Sequence, residues 1–167
     1  MTFAAAAAAD SDGHRRAGDV LRFAMPAAVA GYEWWRGDDE GLWQFGKSWA
    51  VTVGATEVLK RVTHVERPDG SNDRSFPSGH ASNAFAAAIY MQRRYGIGQA
   101  WPWYAVATYV GWTRVDIKRH RWADIAGSAA LAGASSWWLV MPSREQRVAV
   151  APMLMPGGVS LEVHMRW

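Results

Sequence analysis

The sequence contains no cysteine. That excludes a disulfide framework, a thiolate-ligated zinc and a cysteine nucleophile, so any chemistry has to be carried by oxygen and nitrogen side chains. Long apolar runs are also missing. A membrane-crossing helix needs roughly 20 consecutive apolar residues. Only Tyr95 to Thr113, interrupted by Pro102, and Ile125 to Pro142 come near, and both are filled with Ala, Gly and Ser rather than Leu, Ile and Phe. With a mean hydropathy of -0.17, a soluble or peripherally attached protein is expected. Charge of one sign is equally scarce. A net charge of +3 set against 15 acidic residues suits a phosphate-bearing substrate, but it makes no dedicated nucleic-acid surface, and no nucleic-acid partner is expected.

What is abundant is tryptophan, 11 in 167 residues, with pairs at Trp34, Trp35 and Trp137, Trp138. Such rings fill cores, which is the expectation here, or gather at membrane interfaces. The length suits one hydrophobic core, placed at residues 18–167. Residues 1–17 read as a flexible tail. Within it, Ala4 to Ala9 followed by Asp10-Ser11-Asp12-Gly13 fits either the small-residue end of an export signal, which would place the protein in the periplasm, or a plain alanine tail.

The chain is expected to be all-α, a bundle of five or six helices closed by a short C-terminal β-hairpin. Gly18 to Trp35 reads as a first helix, with Pro26 kinking it or marking its start, broken by the polar run Arg36 to Glu40. Leu42 to Val65 follows, with Leu42, Phe45, Trp49, Val53 and Leu59 on one side and Val51, Ala55, Val58 and Val62 on another, which predicts burial on most faces. Pro68 to Pro77 is a polar loop. A helix starts near Ser78 to His80 and ends at Gly96 and Gly98; Trp101 to Thr113 and Trp122 to Val140 are two more. Over residues 146–167 the period changes to two around Pro156-Gly157-Gly158, a hairpin signal.

Three clusters carry groups suited to phosphorus chemistry. Lys60 and Arg67, seven residues apart, pair a point-charge ammonium with a bidentate guanidinium, fit for two sides of one phosphoryl group. Alone, such a pair at a helix C-terminus simply complements the dipole. Pro77-Ser78-Gly79-His80 leads from a loop into a helix, where free amides, a glycine that admits close approach and the Ser78 hydroxyl make an anion site beside His80. Equally, Ser78 caps the helix and His80 sits in its first turn. Finally, His120 and Asp124 are i and i+4, so the carboxylate can hold one ring nitrogen and leave the other free to attack, with Arg114 as a further cation. By itself that pair is as simply a surface contact.

In order and spacing these clusters resemble the signature of the type 2 phosphatidic acid phosphatase superfamily, which also contains bacterial non-specific acid phosphatases and vanadium haloperoxidases: K-x6-R-P, P-S-G-H and S-R-x5-H-x3-D. The chain has Lys60, Arg67 and Pro68; Pro77, Ser78, Gly79 and His80; and Thr113, Arg114, His120 and Asp124. The one departure is Thr113 where the pattern has serine. The resemblance implies a helical bundle and a metal-independent phosphatase without cofactor. In it His120 is the nucleophile carrying a phosphohistidine, Asp124 orients it, His80 is the acid and then the base, and Lys60, Arg67, Ser78, Gly79 and Arg114 bind the phosphate. A lipid phosphate at a membrane surface is the expected substrate, with soluble phosphate esters or vanadate-dependent halide oxidation as alternatives. From a different class, a non-catalytic anion-binding or membrane-surface module remains open.

Overall fold

The computed structural model describes the backbone of residues 3–143, 148–155 and 158–165, and the side chains of residues 12–143. Its helical part is a bundle of α1 (Phe3–Arg36), α2 (Asp39–Val62), α3 (Gly79–Tyr95), α4 (Ile97–Asp116) and α5 (Trp122–Leu139). Residues 148–155 and 158–165 run as antiparallel strands β1 and β2, Val148 opposite Met165 and Met155 opposite Gly158.

α3 is the axis of the bundle and packs on all four other helices. Its inner positions Ala81, Ala84, Ala86, Ala87 and Ala88 are buried, so the neighbours approach closely. Larger groups fill in around it: Met25 and Val29 from α1, Phe45 from α2, Val110 from α4 and Ile125 from α5. Gly127 lets the polar loop in close, because a Cβ there would lie 2.3 Å from the Phe76 ring.

α2 reverses the expected pattern. Rather than being buried on most faces, it buries Gly41, Gln44, Phe45, Ser48, Thr52, Thr56 and Lys60, while Trp43, Val51, Val58 and Val62 stay exposed. The buried hydroxyls cost little because each finds a carbonyl on its own helix: Ser48 donates to Phe45 O at 3.0 Å, Thr52 to Ser48 O and Thr56 to Thr52 O, both at 2.8 Å. Small polar residues thus give the close approach that the alanine face of α3 requires.

The tryptophans are likewise not in the core. Of the ten whose side chains are described, none is buried, and Trp34, Trp35, Trp43, Trp101, Trp122, Trp137 and Trp138 are exposed. Rings this large have no room beside an alanine-lined axis. All but Trp122 of these seven stand at the end of the bundle where α2 and α4 begin and α3 and α5 finish.

The expected tail is helix as well. α1 starts fifteen residues before Gly18 because alanine is the best helix former, and its early turns rest on α4. Arg114 Nη2 donates to Arg15 O at 2.8 Å, and His14 Nδ1 lies 3.2 Å from Asp116. Gly18 makes the crossing possible: a Cβ there would sit 2.2 Å from Arg114 Nη2. Pro26 lies inside the helix instead of starting it.

Candidate active site

At the other end of the bundle α2 and α4 finish while α3 and α5 begin, and that meeting of termini assembles the site. Lys60 occupies the last turn of α2, His80 the first turn of α3, Arg114 the last turn of α4 and Asp124 the first turn of α5. A cavity of about 480 Å³ opens among them, walled by Lys60, Arg67, Gly79, His80, Arg114 and His120. The two imidazoles, the three cations and the glycine singled out from sequence therefore meet in one place. Asp124 and Ser78 stand behind the wall. Both are buried, and Ser78, expected to touch phosphate, instead accepts from Ala81 N and starts the helix.

Ser78 does more than cap. Its amide donates to Asp124 O at 3.3 Å and its carbonyl accepts from Ser128 Oγ at 2.9 Å, so the first turns of α3 and α5 are tied together directly.

His120 stands in the short turn after α4, where its amide and that of Arg119 both donate to Arg114 O, at 3.1 and 3.0 Å. Its Nδ1 lies 3.4 Å from Asp124 Oδ2. No hydrogen bond joins the two, and the same oxygen accepts instead from Ser75 Oγ at 2.5 Å and from Arg121 N at 2.8 Å. With Nδ1 buried toward a carboxylate and Nε2 facing Arg67 Nη1 at 3.4 Å, the proton belongs on Nδ1 and the free lone pair on Nε2. Arg67 is held in turn by Asn72 Oδ1 at 2.8 Å and Arg119 O at 3.3 Å. Lys60 Nζ donates to Arg74 O at 3.1 Å, and burial holds its pKa below the usual lysine value.

Three further side chains reach the cavity from α1: Arg15, Asp19 and Arg22. Asp19 Oδ1 lies 2.8 Å from His80 Nε2 and accepts from Arg114 Nη1 at 3.0 Å. Burial alone would raise its pKa, but the bond to His80 and the charge of Arg114 outweigh that and hold it low. Ser75 and Asp19 were not found from sequence. The available signal for α1 was the i, i+4, i+7 spacing of Arg15, Asp19 and Arg22, which puts them on one helical face. Among the described residues no three His, Asp or Glu side chains gather as metal ligands.

Both imidazoles are starved of protons. Burial, then Arg114, pulls His80 down to about 4, and burial, then Arg67 and Lys60, does the same to His120, against an ordinary 6.5. Between pH 6.5 and 4 the unfolded chain therefore takes up protons that the folded one does not, so stability falls as pH is lowered through that window and levels off below it. The melting temperature is expected to follow, and His80→Asn and His120→Asn should each flatten the dependence.

Sequence and structure comparisons agree with this geometry. The family model described as PAP2 superfamily matches residues 41–147, from the first turn of α2 to beyond α5. A lipid A 1-phosphatase of Porphyromonas gingivalis is 37% identical over 79 residues, covering 44% of this chain and 18% of that protein. A lipid A 4'-phosphatase of Helicobacter pylori is 35% identical over 114 residues, covering 62% of this chain and 57% of that one. The chain thus spans less than two thirds of the length of either relative. The crystal structure of Aquifex aeolicus LpxE superposes with a TM-score of 0.67 at 14% identity, over 78% of this chain and 84% of that one, and so shares the fold.

Proposed function

Because the chain belongs to the PAP2 superfamily, we propose that it is a phosphatase, hydrolysing phosphate monoesters or pyrophosphates of lipids through a phosphohistidine on His120 and without a metal. The observation that carries this reading is the single cavity holding both imidazoles and three cations. His120 Nε2 attacks phosphorus as the bond to the leaving oxygen breaks, and His80 gives that oxygen its proton. Water then attacks the phosphohistidine, returning His120 as the leaving group, while His80 takes the proton from the water. Lys60, Arg67, Arg114 and the free amides at the start of α3 hold the phosphoryl oxygens as their charge redistributes, the electrostatic work on which phosphoryl transfer depends. A bound phosphate dianion offsets those cations, which lets His80 hold the proton it must deliver.

Two observations support a lipid. Exposed apolar residues stand on the same helical turns as cavity residues, Val20 and Phe23 near Asp19 and Arg22 on α1, and Val58 and Val62 near Lys60 on α2. Both curated relatives are named for lipid A phosphates. Trp122, the exposed tryptophan at the cavity end of the bundle, supports work at a membrane surface; the other six stand at the far end. Among the described residues no helix is long and apolar enough to cross a membrane. The periplasmic face and a C-terminal hairpin as part of the domain complete the proposal; protease accessibility of the full chain in spheroplasts tests the compartment.

The decisive experiment is phosphate release from lipid and water-soluble monoesters and pyrophosphates with EDTA present throughout. Activity should survive chelation unchanged, favour the lipids and be blocked by vanadate. Turnover lost in EDTA and restored by a divalent ion would contradict the mechanism.

A further inference from the structure

Resting on that reading of the cavity as a phosphoryl site, we propose that Asp19 is its displaceable occupant. Its carboxylate sits where a phosphoryl oxygen binds, must leave for substrate to enter, and returns to expel inorganic phosphate.

The geometry is that of a bound anion. Asp19 Oδ1 lies 2.8 Å from His80 Nε2 and 3.0 Å from Arg114 Nη1, and those two nitrogens are themselves 3.2 Å apart. One oxygen thus fills the gap between the acid and a phosphate-binding cation. His80 presents this same nitrogen to the cavity, so it cannot give its proton to a leaving oxygen while Asp19 holds it. The carboxylate also has solvent to move into: its side chain is 52% exposed, against 17% for His80 and 4% for Arg114.

The charges around the site say what dislodges it. His80 is faced by Asp19 and Arg22 of α1, Arg22 Nη1 at 3.4 Å, and by Arg114 of α4; Glu57 and Lys60 of α2 and His120 line the same space. A phosphate dianion brings two charges and reaches Lys60 and Arg67 as well, so it outcompetes a single carboxylate. Inorganic phosphate remaining after hydrolysis meets the same competitor, now tethered at high effective concentration. α1 lies outside the residues matched by the family model, so this device belongs to the part of the chain that closes the site rather than to the shared motifs.

The test compares the full chain with Asp19→Asn, Asp19→Ala and Glu57→Gln by calorimetric titration with inorganic phosphate and with vanadate, alongside phosphate inhibition of turnover. Circular dichroism verifies that each variant is folded. Losing a charged competitor that makes two hydrogen bonds should tighten both ligands about 10- to 100-fold in the two Asp19 variants. Glu57→Gln, which removes a cavity charge that touches neither His80 nor Arg114, should tighten them by no more than about threefold. Phosphate release should slow in proportion to the tightening. Equal tightening in Glu57→Gln would reduce the effect to general electrostatics and overturn the proposal. So would unchanged affinity with a fallen kcat, which would make Asp19 a positioning residue for His80. Absence of binding to the unaltered chain and to every variant would instead remove the phosphoryl-site reading itself, and the inference with it.

Discussion

His120→Ala is expected to lower kcat by about ten-thousand-fold or more, while inorganic phosphate still binds. The size follows from what the ring supplies. Its Nε2 faces the cations of the cavity, and burial with Arg67 and Lys60 keeps it unprotonated down to about pH 4, so at neutral pH the lone pair is ready for in-line attack. With the ring gone, water has to attack the phosphate ester directly, without the phosphohistidine that divides the reaction into two easier steps. Binding survives because Lys60, Arg67 and Arg114 take their places from other elements. Measuring kcat with a lipid phosphate and phosphate affinity by calorimetry separates the two quantities. A loss smaller than about tenfold would remove His120 from the chemistry.

His80→Ala should be the second largest effect, and its size should depend on the leaving group. With an alkyl or lipid phosphate the departing alkoxide needs a proton, and kcat/KM, which reports the steps up to the phosphohistidine, should drop by about 100- to 10,000-fold. With p-nitrophenyl phosphate, whose phenolate departs unaided, the drop in kcat/KM should be about tenfold or less. The pH profile adds a second signature. In the unliganded enzyme His120 has to be neutral and His80 protonated, yet both titrate near 4. The ready form is therefore most abundant on the acid side of neutrality, and kcat/KM should fall as pH rises toward 7. His80→Ala should erase that falling limb with p-nitrophenyl phosphate. An equal loss on both substrates would assign His80 to binding instead of proton transfer.

How much of this was legible in the sequence depended on whether a residue's partner was local. Lys60 and Arg67, Ser78 to His80, and Arg114 with His120 and Asp124 have fixed spacings set by helix ends, so the three clusters come to one end of the bundle. Asp19 could not be read that way. Its partners His80 and Arg114 are 61 and 95 residues distant, and it lies in a stretch whose alanine-rich approach looked like a tail. Ser75 was hidden for the same reason, 49 residues from the carboxylate it holds. α2 failed differently. Hydrophobic periodicity takes the apolar stripe as the buried one, but when the neighbouring helix is walled with alanine, the small hydroxyl stripe Ser48, Thr52 and Thr56 packs closer. The spacing of four was visible; its direction was not. Tryptophan count likewise said nothing about which face the rings occupy.

The tie that joins Ser78 to Asp124 and Ser128 has a mechanical consequence. Because the acid's helix and the helix that carries Asp124 share that rivet, the scaffold holds the proton donor at a fixed place relative to the carboxylate beside the attacking ring. The opposite wall is the long first helix, whose early turns lean on α4 through Gly18, the Arg114 guanidinium and the contact of His14 with Asp116. Chemistry and admission are thereby assigned to different parts of the fold, which meet where Asp19 touches His80.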